Sequence, residues 1–296
     1  MKKLFIFCAV TVIIITTMLT GCSAIFHTSG SSQLIEKTYD FKDFTSVSIS
    51  GAIQYDVEQA DNYNVVVSLH EDMLERLDIR QTGNTLFIRM KYVPFSTPNV
   101  KITISMPQLS RLEVLGACDG KAAGFDSNNG LDIRLFSASE MDTNIKVGIT
   151  TIFVSGASRI NGNLTSTDTE IKLSGASDLN MTLQTRNTVI NASGSSQIRG
   201  ALKAQDCQFT LSSASTCDLT GSAGDTSISA SRASEMNSPG LTMLTADVKL
   251  TAASDASIGV VTALDVDISG ASSLTYTGNP ALGKIVVSEA SEINHR

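Results

Sequence analysis

The chain has 296 residues, five cysteines, no tryptophan, and 29 Asp and Glu against 22 Lys and Arg, a formal charge of −7. That acidic balance, with no basic cluster, excludes nucleic acid as the main partner. His27, His70 and His295 lie far apart without metal-ligand spacing, which argues against a zinc site or a histidine triad.

The first predicted element is a secretory signal. Lys2 and Lys3 precede an apolar run from Leu4 to Leu19, shorter than the roughly 20 residues that a membrane-spanning helix needs. Its end, Leu19-Thr20-Gly21-Cys22, resembles the bacterial lipobox, in which the cysteine thiol accepts a diacylglyceryl group and cleavage follows before it. We expect a signal peptide over 1–21, lipidation of Cys22, and a small, polar tether over 22–34. Losing Lys2 and Lys3 and no acid takes the charge from −7 to −9. This places the chain in the bacterial cell envelope, held to the membrane by its lipid; Ser23 suits outer-membrane sorting, with the facing left open.

Residues 35–110 are richer in aromatics, with Phe41, Phe44, Tyr55, Tyr63 and Phe87. Asp78 to Arg80 and Thr85 to Arg89 flank Gln81-Thr-Gly-Asn84 as a hairpin, and His70 to Leu77 suits one short helical stretch. A solenoid must cover its first coil, and this region is the expected N-terminal cap.

From residue 111 to 296 the sequence repeats, and the whole of 35–296 reads as one continuous domain. The unit Ile-x-Leu-Ser-Gly-Ala-Ser ends at Cys118, Ser139, Ser158, Ser177, Ser196, Ser215, Ser234, Ser254, Ser272 and Ser291, with steps of 18 to 21 residues and most of 19. Six and four residues before each end the side chain is apolar, as at Ile152 and Val154 or Ile171 and Leu173, with mostly polar residues between. Alternation of period two marks strands with one buried face. A second apolar column follows the serine by two, through Met141, Ile160, Leu179 and Ile198. The fold class is therefore all-β, a single-stranded parallel β-helix of about 19 residues per coil, with two or three short strands in each. A small residue stands before each final serine, which suggests that nothing larger fits inside the bend. Glycine precedes it at Gly116, Gly156, Gly175, Gly194 and Gly270, where a positive φ or a close backbone approach is expected. The serines Ser139 through Ser291 form a structural ladder whose hydroxyls bond each other or the bend.

Phe44-Thr-Ser-Val-Ser-Ile-Ser-Gly51, then Val100-Lys-Ile-Thr-Ile-Ser-Met-Pro107 and the Ser-Gly-Ala-Ser coils resemble the bacterial putative auto-transporter adhesin family with the head GIN domain. The resemblance covers about residues 35–296. It implies a right-handed β-helix and an adhesin-like envelope protein, and it brings no catalytic residues. Cys118 departs from the serine pattern, which leaves the hydrogen bonding of that corner open.

No catalytic constellation emerges, and no cofactor is implied. Glu140, Asp142 and Asp178 are weak candidates for calcium in an acidic outer strip, on which a polysaccharide lyase or hydrolase would depend. A solvated face is the blander account of the same acids. Aromatics are few in the repeat, which argues against a stacking platform for sugars. Cys118, Cys207 and Cys217 are odd in number and do not make a disulfide framework. The expected function is non-enzymatic: a β-helical surface presented for adhesion to a protein or glycan. The last coil lacks an obvious cap and is a candidate surface for homo-oligomers that stack end to end.

Overall fold

Apolar side chains at period two organise the strands of the domain that begins at Leu34. In the computed structural model, which describes residues 33–91 and 99–296, the columns of the repeat become the inner wall of a parallel β-solenoid. Ile152, Val154, Ile171 and Leu173 are buried with their equivalents in the coils above and below. The signal peptide, Cys22 and all but the end of the tether lie outside the described residues.

Each coil supplies two strands rather than three, and each strand pairs in parallel with the equivalent strand one coil on. Strand Thr150–Val154 pairs with Leu131–Ser137 on one side and Asp168–Leu173 on the other. Strand Arg159–Thr165 pairs likewise with Glu140–Lys146 and Asp178–Gln184. The result is two ladders, one for the first strand of every coil and one for the second, closed around a common apolar core. Between Thr216 and Ile268 the two strands run together through the second corner, as in Thr216–Ser231, Glu235–Thr251 and Asp255–Ile268. About ten coils stand some 19 residues apart, a rod of roughly 48 Å at one interstrand spacing per coil.

Parallel stacking starts upstream of residue 111. Strand Ser46–Gly51 lies in register between Thr85–Met90 and Arg111–Gly116, and Gln54–Gln59 lies between Lys101–Met106 and Asp119–Asp126. Residues 46–59 are thus a coil of the solenoid. The intervening segment doubles back as antiparallel edges. Leu77–Thr82 pairs with Thr85–Met90 as a hairpin turning through Gly83 at φ 58°. Asn64–His70 pairs with Lys101–Met106 and is covered in turn by Leu34–Tyr39. Between the two arms lies a 3-10 turn, Glu71–Arg76.

The corner after the first strand explains the Gly-Ala-Ser signature. Gly156, Gly175 and Gly194 have φ of 76 to 80°, and a Cβ on Gly175 would sit 2.7 Å from Gly156 O. Both expected reasons for glycine therefore apply. Where glycine is absent, Ser137, Arg232 and Glu289 still adopt φ of 74°, 58° and 53°. From residue 213 on, the following residue also turns left-handed, as at Ala214, Ala233 and Ala253. The corner alanines correct one expectation: Ala138, Ala157 and Ala176 are exposed, so crowding inside the bend is not what keeps them small.

Candidate functional site on the outer faces

The corner serines are buried throughout the stack, except for Ser291 on the last coil. Their hydroxyls point back along the chain. Ser158 Oγ donates to Ser155 O at 2.9 Å, Ser177 Oγ to Ser174 O at 2.6 Å, Ser196 Oγ to Ser193 O at 2.6 Å and Ser272 Oγ to Ser269 O at 2.8 Å. Several also accept across coils: Ser139 N donates to Ser158 Oγ at 3.3 Å and Ser254 N to Ser272 Oγ at 3.2 Å. A hydroxyl engaged this way, away from solvent and without an adjacent base, has no nucleophilic use. At Cys118 the thiol reproduces the bond, donating to Leu115 O at 3.3 Å. Burial pushes its pKa up from 9.0 to about 11, and Cys207 and Cys217, both free, to about 12.

The acidic strip lies on the outside of the second ladder. Glu140, Arg159 and Asp178 are register neighbours on three successive coils. The guanidinium of Arg159 stands between the two carboxylates, 3.8 Å from Glu140 Oε1 and 3.3 Å from Asp178 Oδ2. Arg199 approaches the same Asp178 oxygen at 3.4 Å. Asp142 Oδ1 accepts from Asn161 Nδ2 at 3.1 Å. The three calcium candidates are therefore interleaved with cations and an amide, and among the described residues no His, Cys, Asp and Glu gather into a metal-binding group. This is the pattern of a solvated face stitched across coils by exposed ion pairs, each of which contributes little.

The outside of the first ladder carries a feature that the sequence reading passed over. Five aromatic residues occur between 111 and 296; Phe125, Phe209 and Tyr276 are buried, whereas Phe136 and Phe153 stand in outward columns on adjacent coils. Their rings are 5.5 Å apart and tilted by 43°. Arg134 and Lys172 flank Phe153 in its column. Arg134 donates to Asp132 at 3.0 and 3.1 Å, and Lys172 pairs with Glu170 at 2.7 Å, so the rings sit among charged groups that already have partners. Beside Phe153 opens a groove of about 270 Å³, lined among others by Lys172, Asn191, Ser193 and Thr210. An apolar floor with a polar rim can receive a ligand that has an apolar face and hydroxyl or amide edges. The signal in the sequence was Phe in a position that holds polar residues in most other coils.

Stacked coils that bury their serines and display polar columns with one aromatic pair define a parallel β-solenoid whose variable chemistry lies on its outer faces. The family model described as "Putative auto-transporter adhesin, head GIN domain" matches residues 43–199 and 169–280. The chain belongs to that family. Among solved structures it is similar to a putative adhesin from Parabacteroides merdae ATCC 43184, with 15% identity, a TM-score of 0.54, and coverage of 90% of this chain and 98% of that one. A putative adhesin from Parabacteroides distasonis ATCC 8503 matches with 14% identity and a TM-score of 0.52, covering 90% and 98%. A protein from the same organism described as a putative lipid binding protein matches with 15% identity and a TM-score of 0.51, covering 89% and 96%. At these identities the likeness shows the fold alone. No curated protein matches the chain.

Proposed function

We propose that this chain is a non-enzymatic, lipid-anchored protein of the bacterial envelope that adheres to its ligand through the outer face of the first ladder. The observation that carries the reading is the outward Phe136–Phe153 pair beside its groove. Two neighbouring aromatic rings, half-buried on an outward face, add nothing to the core, and a partner that covers their open sides gives a reason for their placement. Family membership supports adhesion as the class of activity. The anchor rests on Leu19-Thr20-Gly21-Cys22, and mass spectrometry of the N-terminal peptide from membranes should find an acylated Cys22; an unmodified, uncleaved N-terminus would remove the anchor. Protease treatment of intact cells fixes the facing: cleavage of the solenoid means a surface-exposed rod and protection a periplasmic one. For adhesion, cells carrying the full chain are applied to arrays of matrix proteins and glycans. The reading expects captured cells, with capture at least tenfold weaker for F136S/F153S.

The polysaccharide-enzyme alternative has less behind it, because Arg159 occupies the centre of the acidic strip. A second reading, stacking of copies through the last coil, is favoured by a specific observation there. Leu282, Ile285 and Val287 are exposed on strand Ala281–Val287, where their register equivalents Leu264, Val266 and Ile268 are buried.

A further inference from the structure

The last coil consists of strand Ala281–Val287 on the first ladder and Glu292–His295 on the second. Each pairs with the coil before it, and among the described residues neither has a partner on its outer edge. Two rows of backbone donors and acceptors are thus open together, with Ile285 and Val287, at 40% and 44% exposure, at the end of the inner columns. Open edges are templates for further strand pairing. The spacing of the two edges and the apolar column between them are those of a coil of this same solenoid, so the surface that matches both ladders at once is another such coil. The opposite end is guarded differently. Its edges are the antiparallel strands Leu34–Tyr39, with Glu36 and Lys37, and Leu77–Thr82, with the paired Asp78 and Arg80; they do not present the paired edges of a parallel coil, and their charges further discourage pairing. Head-to-tail growth would force the open coil against that charged edge.

We propose that two copies of this chain join head to head through their last coils, as a closed twofold pair with antiparallel strand pairing across both ladders. The proposal rests on the stacking reading given above and specifies its geometry. Antiparallel partners directly opposite each other share a face. On the second ladder Ile293 continues the inner column of Leu274, and Glu292 and Asn294 face outward. A register that keeps inner residues together and centres on Asn294 sets Ile293 opposite His295 of the partner copy, and Glu292 opposite its Arg296. Both outer pairs then join opposite charges. On the first ladder, a register centred on Val286 brings Ile285 against Val287 of the other copy and Lys284 against Ser288, with no like charges opposed. Both ends of the pair are then guarded edges, which stops growth at two.

The test uses the full lipidated chain in isolated membranes. Asn294 lies on the twofold axis, where opposite Cβ atoms are about 4.5–5.5 Å apart, within reach of a disulfide. The native thiols Cys118, Cys207 and Cys217 are buried and silent. Mild oxidation of N294C should give one cross-linked band at twice the chain mass. R296E should reduce that band at least tenfold, and the charge swap E292R/R296E should restore it. Native mass spectrometry of the chain in detergent should show dimers and no longer series. If it shows association while N294C stays uncross-linked, or shows an open series of oligomers, the head-to-head geometry is wrong but stacking stands. If both methods show only monomer, stacking itself fails. These positions are exposed on the terminal coil, and an unchanged melting temperature checks that each variant folds.

Discussion

At Ser177 a hydroxyl buried to 1% exposure donates to Ser174 O at 2.6 Å and holds the corner in the shape that the next coil repeats. Replacing Ser177 with alanine removes that donor and leaves the carbonyl short of a partner. The expected loss is about 1–2 kcal/mol in urea unfolding; an unchanged midpoint would mean that the corner holds without its hydroxyl. The three thiols are the other buried groups with a consequence in solution. Burial favours their neutral form, so each folded pKa, about 11 or 12, lies above the ordinary 9.0. Their contribution to stability is complete below about pH 9 and is lost as the pH rises toward 12. Denaturant midpoints should therefore fall across that window. At neutral pH a thiol reagent should label none of Cys118, Cys207 and Cys217 in the folded chain and all three after unfolding.

The corner is the element on which the repeat turns, and it exists in two forms. Coils ending at Ser158, Ser177 and Ser196 place glycine at φ near +76 to +80° against the carbonyl of the coil before, whereas the coil ending at Ser234 places Arg232 and Ala233 at 58° and 57°. Gly175→Ala should cost about 1–3 kcal/mol, because it combines a left-handed φ with a Cβ 2.7 Å from Gly156 O. Arg232→Gly should stabilise by roughly 0.5–1 kcal/mol by relieving a left-handed arginine. Effects of opposite sign, both read by thermal melting, make the pair a direct test of the two corner forms.

The same elements show what could be read before the structure was known. Ile152-x-Val154 and Ile171-x-Leu173 are legible because one face of a strand is buried at period two, and a 19-residue step stacks like on like. The coil over residues 46–59 was not, because the antiparallel arms and the 3-10 turn separate it from its neighbour Arg111–Gly116, and spacing carries no signal across such an insertion. Arg159 between Glu140 and Asp178 stood in the sequence columns, yet ladder register was needed to make it their contact. Phe136 and Phe153 were counted as scarce aromatics; only the pleat shows that both point outward on adjacent coils. The corner alanines looked interior because they are uniformly small, and exposure reversed that reading.

On the scale of the whole molecule, a rod in which each coil touches only its neighbours should open from its weakest end. That end is the last coil, which among the described residues is paired on one side only. Amide exchange should be fastest over 281–296 and slowest over the central coils near Ile171 and Ile190, and association through the last coil should slow the former selectively. Uniform protection along the rod would contradict this gradient. Charge is also uneven: residues 204–296 hold ten acids and four Lys or Arg, whereas 99–203 hold nine acids and ten. That excess of acid on the later coils repels anionic surfaces, an effect that salt screens. The most direct measurement is capture of intact cells carrying the wild-type chain or F136S/F153S on an array of matrix proteins and glycans. The account predicts capture that falls at least tenfold in the double variant, with equal surface amounts and melting temperature; equal capture by both, or chemical turnover of the captured ligand, would contradict it.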